Sequence, residues 1–192
     1  MDRLNKYADI FFGYTPRFQI NDSDNGEYAI LQPRDINPLV NSFFFDMATR
    51  IDGNIGGKYL LLKGDLLILA KGKNTPVMVI NDDLPHIIAS SAFVIIRTTS
   101  GKLDPYFLAW YLQQEATQTY LLSRKAGTTV LNLPIKVIQE LQIPIPKNEE
   151  QFILGELYRE RIKLRSIQQE LIEKESRLMD IHFLQFLKRY TA

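Results

Sequence analysis

Between residues 8 and 98 the apolar positions come in short runs separated by turn-forming residues. The runs are "YADIFFG", "EYAILQ", "DLLILA", "PVMVI" and "HIIASSAFVIIRT". Runs of this size, rich in Ile, Val, Phe and Tyr, predict strands. "DSDNG" at 22–26 predicts a turn and "IDGNIGGK" at 51–58 a glycine loop. "KYLLLKGDLLILAKGKN" reads as two strands around Lys63-Gly64-Asp65, with a further loop at Gly72-Lys73-Asn74. The expectation is a mixed or antiparallel sheet.

At Asp104-Pro105 the period lengthens. An aspartate suited to N-capping, a proline at the first helical position, and Phe107, Leu108, Tyr111, Leu112, Leu121 and Leu122 three or four apart predict one helix. Gly127 would terminate it, with Arg124 and Lys125 in the last turn. Ile143-Pro144-Ile145-Pro146 then forbids helix, because each proline fixes its own φ and pushes the preceding residue into an extended state. A new helix must start beyond it. Asn148 is placed to cap it, Gln151 stands three residues on as in a capping box, and Glu149 and Glu150 suit the positive dipole end.

That helix runs without proline to about Arg189, and Gly155 is its only glycine. Leu157, Leu164, Leu171 and Leu178 recur every seven residues, with Ile153, Ile167 and Ile181 in the companion positions, which Glu160 and Lys174 interrupt. A 4-3 seam on a rod of about 60 Å needs a second helix. Paired antiparallel about Ile167, Glu160 would meet Lys174, whereas a parallel zipper would set like charges opposite each other. The fold expected is α+β: a β-rich domain over 1–147 and a coiled-coil helix over 148–192, paired antiparallel in a dimer.

Composition narrows the function. Of the 192 residues 45% are hydrophobic and 23% charged, ordinary for a folded domain. There is no cysteine, hence no disulfide, thiolate metal site or cysteine nucleophile. No secretion signal opens the chain and no run is long enough to span a bilayer, so a cytoplasmic protein without membrane contact is expected. Net charge is +1, with 15 basic and 14 acidic residues in 1–147 and 8 of each beyond. A stand-alone, non-specific nucleic-acid binder would carry a basic excess. A sequence reader inside a larger assembly need not.

Catalytic patterns are missing. "DPYF" at 104–107 lacks the second proline of the amino-methyltransferase loop and reads as a helix start. No acid-x-Lys pair exists for a metal-dependent nuclease, and "GNIGGK" lacks phosphate-loop spacing. His86 and His182 lie in different segments and read as structural or exposed, as does Arg97 after its strand. The aromatic groups "FFF" at 43–45 and "YFLAWY" have the spacing of core residues. No enzyme activity, metal or cofactor is expected.

The order "YADIFFGYTP", "GDLLILAKGKN", "DPYFLAWYLQQ" and "AGTTVLNLPIKVIQELQIPIPKNEEQ" resembles the specificity (S) subunit of type I restriction-modification enzymes. The resemblance implies a target recognition domain that reads a short half-site in double-stranded DNA, followed by a spacer helix. It also implies methyltransferase (modification) subunits as partners, which carry S-adenosylmethionine, and through them restriction subunits. The family has two recognition domains and two helices per chain, whereas here there is one of each. The chain is therefore expected to be a half subunit that restores the pair as a homodimer and favours a split, palindromic site. For DNA contact the expected residues are Lys71, Lys73 and Asn74 in "AKGKNT" and Arg124, Lys125, Thr128 and Thr129 in "RKAGTT", then Asn54, Lys58, Gln32 and Arg34. The alternatives are a non-catalytic protein-interaction adaptor with a coiled-coil helix, or the detached recognition domain of a fused restriction-methyltransferase enzyme.

Overall fold

The computed structural model describes residues 1–16, 26–45, 48–99, 101–127, 131–188 and 190. Its central layer is a four-stranded antiparallel sheet in the order β2 (Ala8–Phe12), β10 (Phe93–Thr98), β7 (Leu66–Leu69), β8 (Val77–Val79). Alternate residues point to opposite faces of a strand. Val94 and Ile96, Leu66 and Ile68, and Val77 and Val79 therefore share one core with the helices. Phe93, Ile95, Leu67 and Ile80 enter a second core on the other side. Burial on both faces is why these strands are continuously apolar rather than alternating.

The second core is closed by a three-stranded mixed sheet, β6 (Thr49–Ile51), β3 (Tyr28–Leu31), β9 (Ile87–Ala89), in which β3 and β9 run parallel. Ala29, Leu31 and Ala89 face inward, while Ile30 and Ile88 join Ile51 and Ile55 in a small outer cluster. A short ribbon, β4 (Ile36–Asn37) with β5 (Ser42–Phe43), follows β3. Asn41, at φ 50°, turns its amide against the edge of β8: Nδ2 donates to Val79 O at 2.9 Å and Oδ1 accepts from Val79 N at 2.8 Å. The side chain thus supplies the ladder bonds a further strand would have made. β1 (Asp2–Arg3) pairs antiparallel with β11 (Gln142–Ile143), tying the start of the chain to the segment before the hinge.

Only one strand, β7, forms in "KYLLLKGDLLILA". Residues 57–59 make a 3₁₀ turn and Leu60 a single bridge to Ile88. Asp65 explains the difference. Its carboxylate accepts from Leu62 N and, bidentately, from Arg97 at 2.8 and 2.6 Å, and Arg97 also donates to Leu60 O. The buried ion pair folds 60–65 around itself, and Arg97 is structural as expected. The turn expected at 22–26 lies largely outside the described residues.

The helix expected from Pro105 onward is two helices, α1 (Pro105–Leu112) and α2 (Glu115–Ser123). Glutamine is a good helix former, so Gln113-Gln114 carries no stop signal. The break comes from side chains that take the carbonyls a continuing helix would use: Gln114 Nε2 donates to Trp110 O and Gln118 Nε2 to Leu112 O. α2 ends at Ser123, so Arg124 and Lys125 stand past the last turn and Gly127, at φ 132°, lies in the following loop. A further short helix, α3 (Ile135–Gln139), was not expected. α1 is apolar all round because β8 lies against it on one side and α4 (Asn148–Lys188) on the other.

α4 begins after the prolines as expected, but its capping is shifted by one residue. Glu150 accepts from Lys147 N at 3.0 Å. Gln151, 1% exposed, is turned inward: it accepts from Asp104 N and donates to Lys102 O and Pro146 O, each at 2.9 Å. Asp104 in turn caps α1 through Phe107 N at 2.8 Å. One turn on, a Cβ at Gly155 would stand 2.5 Å from Asp104 Oδ1. Glycine is what lets the two helices touch. Tyr158, whose hydroxyl is pushed up to about 12 by burial, closes the contact and accepts from Gln113 at 2.6 Å. Beyond Ile162 the helix leaves the globule.

Gln151→Ala should lower stability by about 1–3 kcal/mol in urea denaturation, because it strands one buried donor and two acceptors. Asp65→Ala should cost about 3–5 kcal/mol in the same assay, since it leaves the guanidinium without its counter-charge. A neutral result for either would refute the assigned role.

Candidate nucleic-acid interface

Two loops expected to contact DNA converge. After β7 the chain runs through Ala70-Lys71-Gly72-Lys73-Asn74, and after α2 through Arg124-Lys125-Ala126-Gly127. Residues 131–133 knit them together. Gly72 N donates to Leu131 O, Leu133 N to Ala70 O, and Ala126 and Asn132 exchange both backbone bonds. Gly72, at φ 100°, and Gly127 take conformations that side chains rarely adopt. The outcome is one ledge at the end of the central sheet.

Lys71, Lys73, Asn74 and Arg124 are exposed on this ledge. Arg124 lies over the Tyr120 ring, 5.2 Å from its centre, which favours the charge there. Lys125 has a different part. Its Nζ donates to Gly72 O at 2.7 Å and Asn74 O at 2.8 Å, and desolvation pulls its pKa below the usual lysine range. It joins the loops, and its donors are directed at protein carbonyls rather than outward. Thr128 and Thr129 lie outside the described residues.

The other candidates sit on the outer three-stranded layer. Gln32 and Arg34 meet at Thr49 Oγ1, at 3.2 and 2.8 Å, and Gln32 also forms a capping box with the buried Asp35. Gln32 is half-buried, whereas the Arg34 side chain stays exposed. Asn54 and Lys58 are exposed in the glycine loop, with Lys58 4.8 Å from the centre of the Tyr59 ring. Neither pair belongs to the ledge.

Sequence reasoning missed Asn132 and Tyr120. The first bridges both loops and keeps a buried Oδ1 without a partner among the described residues, and the second supports Arg124. An aromatic four residues before an arginine was the available signal for Tyr120. Nothing local marked Asn132.

The remaining polar groups described are engaged or stand apart. The buried acids Asp35 and Asp65 are held by backbone and arginine donors. His86, at φ 63°, faces Glu27 and Tyr28 at the surface, and His182 is exposed on α4. Among the described residues no three metal-ligating side chains cluster, and no helix is long and apolar enough to cross a membrane.

Comparison with known proteins agrees with this architecture. No curated protein matches the sequence. Among solved structures, the chain is similar to the S subunit of a type I restriction-modification system from M. genitalium, at 18% identity and TM-score 0.53, over 94% of this chain and 41% of that one. It is also similar to a chain of a type I R-M system solved for its complex assembly and conformational transition, at 20% identity and TM-score 0.60, over 92% and 42%. The HsdS subunit from Thermoanaerobacter tengcongensis matches at 18% identity and TM-score 0.59, over 88% and 38%. The chain thus spans less than half the length of these structures, and the likeness establishes the α+β fold with its long C-terminal helix. The model of the type I restriction modification DNA specificity domain matches residues 3–173, and the chain belongs to that family.

Proposed function

We propose that this chain is a DNA sequence-specificity subunit, non-catalytic and cytoplasmic, that reads one half of a split target. The observation that carries the reading is the ledge, where two basic loops shaped by glycine converge at the end of the sheet of a specificity-family domain. Exposed Lys71, Lys73, Asn74 and Arg124 supply donors suited to base edges and phosphates. Asn54 and Lys58 form a second contact from the outer layer. The chain contributes recognition, while S-adenosylmethionine and the methyl transfer belong to the partner subunits.

α4 sets the assembly. Gln151, Gly155, Tyr158 and Ile162 mark the face that meets the globule. At about 100° per residue the seam of Ile153, Leu157, Leu164, Ile167, Leu171, Leu178 and Ile181 lies half a turn away. All seven are 51–64% exposed. Ile153 and Ile181 are equally far from Ile167, as are Glu160 and Lys174, so a two-fold axis there makes the seam complementary to itself. Glu160 already bonds Lys163 and Glu170 already bonds Lys174, both at 2.6 Å. Antiparallel pairing sets these pairs beside each other as an alternating network. Two recognition domains then stand at opposite ends of the rod.

The heptad positions of the globule-facing stripe become apolar again further along, at Ile172, Met179, Phe183, Phe186 and Tyr190, which are 54–75% exposed. It points away from a helix paired on the seam, so a third body must cover it. In this reading that body is a methyltransferase subunit, through which the restriction subunit joins.

Selection of bound sequences from random DNA, with the chain alone and with its methyltransferase subunit, should enrich two short motifs at fixed spacing. Featureless binding, or none in either condition, refutes the reading. Lys71→Ala with Lys73→Ala should weaken DNA binding about tenfold or more without lowering the unfolding midpoint, whereas Lys125→Met should lower both. Leu164→Glu should convert a dimer to a monomer in sedimentation while the domain stays folded. An unchanged sedimentation profile would exclude the seam as the interface.

A further inference from the structure

Arg165 stands on the globule-facing stripe of α4, just where the helix leaves the domain. It lines a cavity of about 230 Å³ with Pro38, Leu39, Pro76, Gln113 and Gln118. The two glutamine amides have spent their donors: Gln113 Nε2 on Val77 O and Tyr158 Oη, Gln118 Nε2 on Thr75 O and Leu112 O. The guanidinium is the cavity's donor group without a hydrogen bond among the described residues.

Its charge is also unbalanced. Three other cations of α4 are paired with an acid one turn away: Arg159 with Glu156, Lys163 with Glu160, Lys174 with Glu170. Three and four residues from Arg165 stand Ile162, Gln168, Gln169 and Arg161, none of them acidic. A second arginine one turn before it is unfavourable on a bare helix. An anion brought from outside would relieve it.

The cavity adjoins the ledge. Gln118 also accepts from Thr75 Oγ1 at 2.6 Å, so its wall is the end of the loop that carries Lys73 and Asn74. From Lys73 to Pro76 is at most about 10 Å of backbone, comparable to the rise of about three base pairs along the DNA axis. Pro38, Pro76 and the exposed Leu39 offer apolar contact suited to deoxyribose, and a guanidinium suits phosphate bidentately.

We propose that Arg165 grips a sugar–phosphate unit of the DNA strand leaving the ledge, so that α4 is a backbone contact as well as a spacer. The proposal rests on the DNA-reading role above. Arg165 is off the seam and stays accessible when two helices pair.

The test uses the full chain, with its methyltransferase subunit where binding requires it. Affinity for a selected duplex and for a random duplex is titrated against potassium chloride. Arg165→Gln should weaken both duplexes equally and leave the preferred sequence unchanged. The slope of log K against log salt should become shallower by about 0.9 per chain, or nearly two for a two-fold pair. Arg165→Lys should keep most of the slope. An unaltered slope in a variant that still selects the same sequence overturns this contact and leaves the DNA-reading role standing. So does a weakened affinity that sedimentation traces to lost assembly. Absence of DNA binding by the unsubstituted protein overturns both.

Discussion

The direction of the rod depends on one buried amide. Gln151 bonds the N-cap of α1, the loop before it and the proline hinge, so three segments that converge from different parts of the chain are fixed to the first turn of α4. A fully satisfied polar group of this kind permits one geometry, because any rotation of the helix strands buried donors and acceptors. Gly155 then allows backbone contact with Asp104, and the Gln113–Tyr158 bond adds a third point beyond it. Three contacts along two turns define an axis. A lever about 60 Å long amplifies any looseness at its root, so a precise root is what a fixed separation between two distant sites requires.

The same contacts connect that root to the ledge. Gln113 reaches the carbonyl of Val77 in β8, and Gln118 holds Thr75 in the loop entering it. α1, α2 and the basic loop are therefore bonded to the same core as the start of α4. On the reading proposed above, position along the DNA and orientation of the spacer are set together.

The strands, the start of α1, the hinge and the seam were legible in the sequence because each follows from local rules: apolar period, Asp-Pro capping, Pro-imposed extension and heptad spacing. What escaped was decided by partners far along the chain. The break at Gln113-Gln114 depends on which carbonyls glutamine side chains reach, the loss of a strand before Asp65 on an arginine 32 residues later, and the inward turn of Gln151 on Asp104. The site divided in the same way. Loop residues with free ends, Lys71, Lys73, Asn74 and Arg124, were identifiable by type and setting. That Lys125 bonds both loops, and that Gln32 and Arg34 meet at Thr49, required the fold.

A net charge of +1 is compatible with DNA recognition once the placement of the charges is considered. Asp65 neutralises Arg97 in the interior, Asp2 pairs with Lys6 beside β1, and acids one turn away balance Arg159, Lys163 and Lys174. The cations left without acidic partners include those on the ledge and Arg165 at the helix root. Nearly balanced totals suppress indiscriminate attraction to the phosphate backbone, which acts over a Debye length and scales with the number of phosphates engaged. Local excess at two adjoining places still pays for contact once the groove is in position. On the proposed reading such a chain discriminates by fit and relies on other subunits for affinity.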